Sequence, residues 1–305
     1  MQAEVAADYF QIRILDALKE ILDSSVVDYR ESLKQTQAQY DAGIASDEDV
    51  AQAETQVNVT LAQATDLGIQ RAQLEHAIAT LMGKPASLFS LVASDVAETI
   101  PASIPIAVPS RLLERRPDIA AAERRTAESN ALIGVARTAY FPAIALTGSA
   151  GYLNTTLSSL FSAPGLLWSL GAGLTETIFD GGKRGALTDQ AMAAYEGSVA
   201  NYRQTVLAAF QEVEDNLSTL RIISQEMKQQ DAAVESSQRA LTAARDRYVS
   251  GVDPYLNVVT AQITLLTSKR TAMNLRMQQL IASVQLIKSL GGGWNQSLDV
   301  EEAMK

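Results

Sequence analysis

Between Val199 and Tyr248 an apolar side chain returns at every seventh position: Val199, Val206, Val213, Leu220, Met227, Val234, Leu241 and Tyr248. An unbroken seven-residue period predicts one long helix with a single supercoiling seam. Taken from Gly185 to Ser250, that helix would be about 100 Å long at 1.5 Å per residue. The same spacing occurs near the start of the chain, in Val5, Ile12, Val26, Leu33 and Tyr40, with Lys19 as the exception. The two stretches are related by a shift of 208 residues, which places Tyr40-Asp41-Ala42-Gly43 on Tyr248-Val249-Ser250-Gly251 and Val50 on Val258. Near its end the match drifts by one, with Leu81-Met82-Gly83 facing Leu290-Gly291-Gly292. Residues 4–83 and about 212–292 therefore read as two copies of a helical hairpin.

Each copy carries stop and start signals where the chain reverses. Gly43 and Gly251 suit the left-handed residue that ends a helix. Ser46 with Asp49 three positions on is a capping-box signature. In the second copy Asp253 is expected to cap and Pro254 to take the first helical position. Different residues serving one reversal suggest that the reversal itself is required.

The middle of the chain behaves differently. Pro85, Pro101, Pro105 and Pro109 exclude a continuous helix over 84–110. A helix is expected from about Arg111, interrupted at Pro117 and running on to Tyr140. The period then changes to two. In 143–153, Ile144, Leu146, Ala150 and Tyr152 share one face; in 166–178, Leu166, Trp168, Leu170, Ala172, Leu174 and Ile178 do so. The opposite faces carry Gly, Ala, Ser and Thr. Each run has about the ten residues a tilted strand needs to cross a bilayer. A soluble sandwich hairpin would give the same alternation, and the adjoining ~100 Å helix is what favours the membrane reading. The chain then divides into a helical hairpin (1–83), an extended linker (84–110), a helix (111–140), a β-hairpin (141–180), a second long hairpin (181–293) and a tail (294–305). The fold class is mainly α with a small β part.

Composition narrows the chemistry. The 305 residues include no Cys and a single His, His76, so disulfides, thiolate metal sites and most His-based catalysis are excluded. The 35 acids against 25 bases leave a net charge of −10 and no basic patch for nucleic acid. No apolar run is long enough for a transmembrane helix. Ser224, in a Ser-Xaa-Xaa-Lys match, lies inside the heptad helix without a partner signature.

Several motifs then combine: Leu112-Leu113-Glu114-Arg115-Arg116-Pro117-Asp118-Ile119, Ala122-Glu123-Arg124, Ile133-Gly134-Val135-Ala136, Phe141-Pro142, Ile178-Phe179-Asp180-Gly181-Gly182, and Arg247-Tyr248 before Gly251-Val252. Together they resemble the outer-membrane factor family, TolC-like proteins, and within it the NodT or OprM-like lipoproteins. The resemblance covers nearly the whole chain. It implies a homotrimer in the outer membrane, its helices forming a periplasmic tunnel. It also implies a periplasmic adaptor protein and an inner-membrane pump of the RND type as partners, no cofactor, and an expectation that a signal peptide, a lipid-bearing Cys and a first strand pair precede Met1.

On that resemblance Ile144, Leu146, Tyr152, Trp168, Leu170 and Leu174 would face lipid. Gly43, Ile44, Gly251 and Val252 would meet the adaptor at the hairpin tips. Arg247, Asp253, Leu256 and Thr260 would form the periplasmic gate. Leu256 fits the family's apolar constriction, whereas Thr260 stands where members often carry an acid. A lumen lined by Asp and Glu would concentrate cations. The alternative reading is a non-pore coiled-coil scaffold or periplasmic adaptor.

Overall fold

A computed structural model describes residues 1–93, 116–153, 161 and 166–292. In chain order it contains α1 (Gln2–Asp41), α2 (Asp47–Leu81), a single 3-10 turn (Ala86–Leu88), α3 (Pro117–Thr138), β1 (Ala143–Tyr152), β2 (Leu166–Thr175), α4 (Lys183–Val249) and α5 (Tyr255–Ser289). Long helix pairs dominate, with one β-hairpin, as the periodicities predict. The linker beyond residue 93, most of the loop 154–165 and the tail lie outside the described residues. So do 111–115; α3 begins on Pro117 itself, which suits the first helical turn because its missing N–H has no partner to lose there.

The chain forms two compact units. One comprises Met1–Arg116 with Ala209–Lys305, the other Pro117–Ala208. The first unit is a bundle of α1, α2, α5 and the distal part of α4. Its core near the tips gathers Ala53, Leu241, Tyr255, Val258, Val259 and Leu265, flanked by Leu33, Val234 and Tyr248. Further along, Leu22, Tyr29, Val57, Ala64 and Leu266 pack together, and then Ile14, Leu15, Leu18 and Leu280. Each fully buried Leu or Ile contributes about 1.5–3 kcal/mol relative to exposure. All eight heptad positions of α4 are buried or half-buried, so the seam read from the sequence is a packing seam.

The repeat holds to the residue. α1 ends at Asp41 and α4 at Val249, α2 spans Asp47–Leu81 and α5 Tyr255–Ser289, all 208 apart. The predicted drift near Leu81 does not occur: the left-handed glycines are Gly83 (φ 68°) and Gly291 (φ 76°). The run Gly291-Gly292-Gly293 offers the eye several matches, and the backbone uses the first.

In the second unit β1 and β2 pair antiparallel. Ile144 lies opposite Leu174, Leu146 opposite Ala172 and Tyr152 opposite Leu166, so the apolar residues of both strands share a face. β2 stops at Thr175, three residues short of the predicted end, because its partner Ala143 follows Pro142, which has no N–H to continue the ladder. α3 lies beside α4 here, with the Thr126 hydroxyl 3.3 Å from the Ser198 carbonyl oxygen.

Candidate functional site

The two hairpin tips share one backbone solution. At the first, Gly43 (φ 75°) donates to the Tyr40 carbonyl at 2.8 Å and Ile44 to the Gln39 carbonyl at 2.8 Å. At the second, Gly251 (φ 72°) donates to Tyr248 at 2.9 Å and Val252 to Arg247 at 2.9 Å. These paired bonds satisfy the last helical carbonyls in a Schellman arrangement, which needs a residue at positive φ. The side chains after the glycines, Ile44 and Val252, are 77% and 65% exposed. The expected adaptor-contact positions are therefore presented at the ends of the hairpins, uncovered among the described residues.

Beyond the turn the tips diverge. Ser46 caps α2, its Oγ accepting from the Asp49 N–H at 3.2 Å while the Ser46 N–H donates to Asp49 Oδ2 at 3.0 Å. Asp253 does not play the corresponding part. The N-cap of α5 is Pro254, Tyr255 is the first helical residue, and no side chain caps the helix. Asp253 instead takes a two-pronged contact from Arg247, Nε to Oδ2 at 2.7 Å and Nη2 to Oδ1 at 3.0 Å. Hydrogen bonding to Arg247 holds the Asp253 carboxyl below its ordinary range and raises the guanidinium. Arg247 and Asp253 are thus brought together, on one turn of one chain. Leu256 is 53% exposed just past it. Thr260, one turn on, is exposed, with its hydroxyl donating to the Leu256 carbonyl at 2.8 Å.

Tyr255, behind the second tip, is 2% exposed, and burial pushes its hydroxyl up to about 12. It borders a cavity of about 180 Å³ that Asp28, Glu31, Thr36, Arg245 and Tyr248 also line. Deeper in the bundle the Tyr29 hydroxyl donates to the Gln262 carbonyl at 3.2 Å and Gln262 Nε2 to Ser32 Oγ at 3.3 Å, tying the second repeat to the first.

The ribbon of β1 and β2 is exposed on both faces in the single chain. Ile144, Leu146, Trp168, Leu170 and Leu174 are 69–81% exposed, and Tyr152 is 44% exposed with its ring edge-on to Phe161 at 5.6 Å. On the other face Ser149 and Ser169 hydroxyls meet at 2.9 Å. A two-stranded ribbon with this much bare apolar surface is marginal alone and calls for a cover on that face. At the corner after β2, Asp180 accepts from the N–H groups of Gly182 (3.1 Å) and Arg184 (2.9 Å) and from Arg184 Nε (2.8 Å). Gly181 and Gly182 have φ 62° and 90°, which explains the Asp-Gly-Gly motif as a sheet-to-helix turn.

Two charged clusters escaped the sequence reading. Asp16 receives Arg13 at 3.2 Å and Arg71 at 2.6 Å, and Arg71 also holds Glu75 at 2.7 Å. Arg13 and Arg71 donate onward to the carbonyls of Val92 and Leu91, clamping the chain that leaves the first hairpin. Arg116, from the Arg-Arg-Pro motif, is buried and donates to Glu212 at 2.8 Å and to the Ser289 carbonyl at 3.2 Å. The 13/16/71/75 cluster has no counterpart in the second repeat, where Arg221, Ser224, Gln279 and Ser283 stand. His76 is exposed, and among the described residues no group of acids and histidines could hold a metal.

The pattern of the outer membrane efflux protein family matches residues 1–84 and 108–292. The chain is 35% identical over 294 residues to the solvent efflux pump outer membrane protein SrpC of Pseudomonas putida, covering 96% of this chain and 63% of SrpC. It is 38% identical over 237 residues to the outer membrane protein OprJ of Pseudomonas aeruginosa, covering 74% and 48% of the two chains. The chain thus spans about 63% of the length of the first of these relatives. Among solved structures, it superposes on a membrane protein from Pseudomonas aeruginosa with a TM-score of 0.85 at 34% identity, covering 98% of this chain and 68% of that one. The corresponding values for CusC, whose structures describe transmembrane channel formation, are 0.83, 29%, 95% and 68%. With both hairpins, the ribbon and the corner inside the matched segments, the chain belongs to the outer membrane efflux protein family.

Proposed function

We propose that the protein is the outer-membrane duct of an efflux system, a passive exit for small organic solutes delivered from the inner membrane. The carrying observation is the ribbon: ten paired residues per strand, one face apolar and bare, the other small and polar. Such a ribbon suits a shared barrel in which lipid covers the apolar face and water fills the lumen. The family's efflux relatives, SrpC among them, favour this over a non-pore scaffold. Three copies would contribute their ribbons to one shared barrel and set the hairpins around a periplasmic tunnel, with an adaptor at the tips and a pump beneath. No step of this task requires catalysis.

In this reading Leu256 narrows the mouth, and the Arg247–Asp253 fork fixes the turn that carries it. The test is conductance of the protein, purified from outer membranes, in planar bilayers. The wild type is expected to conduct poorly, and Leu256→Ala to raise conductance several-fold. Protein found in the soluble fraction without detergent, or bilayers that stay silent with wild type and variant alike, would overturn the duct.

A further inference from the structure

We infer that the tunnel wall formed by α5 is charge-blind, so that the mouth admits uncharged, amphiphilic and anionic organic solutes as readily as cations. This rests on the duct reading above and names its substrate class. The observation is a contrast between two helices that the repeat makes equivalent. α2 carries six carboxylates (Asp47, Glu48, Asp49, Glu54, Asp66, Glu75) and one fixed cation, Arg71. α5, position for position 208 residues later, carries no carboxylate at all, and four cations: Lys269, Arg270, Arg276 and Lys288. The chain has 35 acids to distribute, and α5 receives none of them.

The placement of the neutral residues matters more than their number. At 100° per residue Leu256, Thr260, Ile263, Thr267, Asn274 and Gln278 fall on one stripe of α5, and all six are exposed. The stripe runs about 33 Å from the tip at 1.5 Å per residue. Lys269 and Arg276 lie on the other side of the helix and are half-buried. Arg270, beside the stripe, is turned onto the bundle by a 3.1 Å bond to Gln63 Oε1. The hydroxyls of Thr260, Thr264 and Thr271 donate to the carbonyls four residues before them, at 2.8, 2.8 and 3.0 Å. The stripe therefore presents threonine methyl and hydroxyl groups, amides and two aliphatic side chains, all of them uncharged. A pore selects cations when carboxylates ring its narrow part, where low-dielectric walls focus their field. Here the net charge of −10 sits on the other helices, and the expectation of a cation-concentrating lumen, drawn from composition, does not carry over to this wall.

The experiment is the zero-current potential of the outer-membrane-purified protein in planar bilayers under a KCl gradient. The expected potassium-to-chloride permeability ratio for the wild type is within about twofold of one. Thr260→Asp, which sets one carboxylate per copy into the stripe, is expected to raise the ratio at least about fivefold; Thr267→Asp, on the same stripe, repeats the test should the first variant fail to assemble. A wild-type ratio already above about five overturns the inference and leaves the duct standing. Channels that never form overturn the duct, and the inference with it.

Discussion

The tips at Gly43 and Gly251 make the same turn with the same two backbone bonds, yet they are finished by different chemistry. The first is closed by a capping box between Ser46 and Asp49, local to the helix that follows. The second is closed by Arg247 reaching forward over the glycine to Asp253, from the helix before the turn to the loop after it. The first tip secures only the start of α2. The second couples the end of α4 to the approach of α5, the helix that carries Leu256 and Thr260. Duplication supplied one hairpin design, and the copies differ in the side chains that close the turn.

The largest expected difference between the tips lies at high pH. Position 47 is an exposed carboxylate, whereas its repeat partner Tyr255 is a buried phenol. A folded-state value of about 12 against an ordinary 10 means that stability from the neutral phenol is complete below pH 10. It is lost as the pH rises towards 12. A two-unit displacement is worth on the order of 3 kcal/mol, and solvent screening from the adjoining cavity reduces the expected loss to about 2 kcal/mol. Thermal melting between pH 9 and 12 should show that loss in the wild type. Tyr255→Phe should flatten the alkaline limb, and an unchanged limb would remove Tyr255 as its source.

The next effect should be equal at both tips. A Cβ added at Gly43 or Gly251 meets no atom within 4 Å, so the cost of alanine is the left-handed backbone alone. That cost is about 1–2 kcal/mol at either site. Clearly unequal melting shifts for Gly43→Ala and Gly251→Ala would mean that one tip packs against something the other does not. Smaller and one-sided is the loss for Ser46→Ala, about 1 kcal/mol through the missing cap. Pro254→Ala, at the equivalent position, removes no side-chain cap and should cost only the unfolded-chain entropy that proline withholds, about 0.4–1 kcal/mol.

Periodicity exposed the parts of the fold that repeat. The seam from Val199 to Tyr248, the two glycine turns and the faces of the ribbon all follow from spacing, because burial on one side of a regular element imposes its period on the sequence. Contacts between elements left no such trace. Asp16 and Arg71 are 55 residues apart, on different helices, and nothing local marks them as partners. Asp253 before Pro254 carries the signature of a helix start, and only the folded turn shows its carboxylate drawn back to Arg247. Arg116 was visible as part of a motif, but its hold on Glu212 and on the end of α5 required the packed bundle. The charge contrast between α2 and α5 was present in the letters throughout. It acquired meaning once the repeat fixed the two helices as equivalents.

The smallest effect belongs to the fork, which closes the second tip and not the first. Arg247 and Asp253 are partly open to water, so their attraction is screened by salt. Arg247 depresses the Asp253 carboxyl, so its contribution is complete above about pH 4 and is lost as the pH falls further. Asp253→Asn should therefore lower stability slightly at neutral pH and low ionic strength, less than Ser46→Ala does. The difference from wild type should vanish in high salt and in acid. Ser46→Ala should show the same deficit at every ionic strength, since a neutral hydroxyl cap has no charge to screen. Hydrogen exchange at Gly251 and Val252, compared with Gly43 and Ile44, would localise the change. A salt-independent deficit for Asp253→Asn would mean that the carboxylate acts through shape rather than charge, and the two tips would then be variants of one local cap.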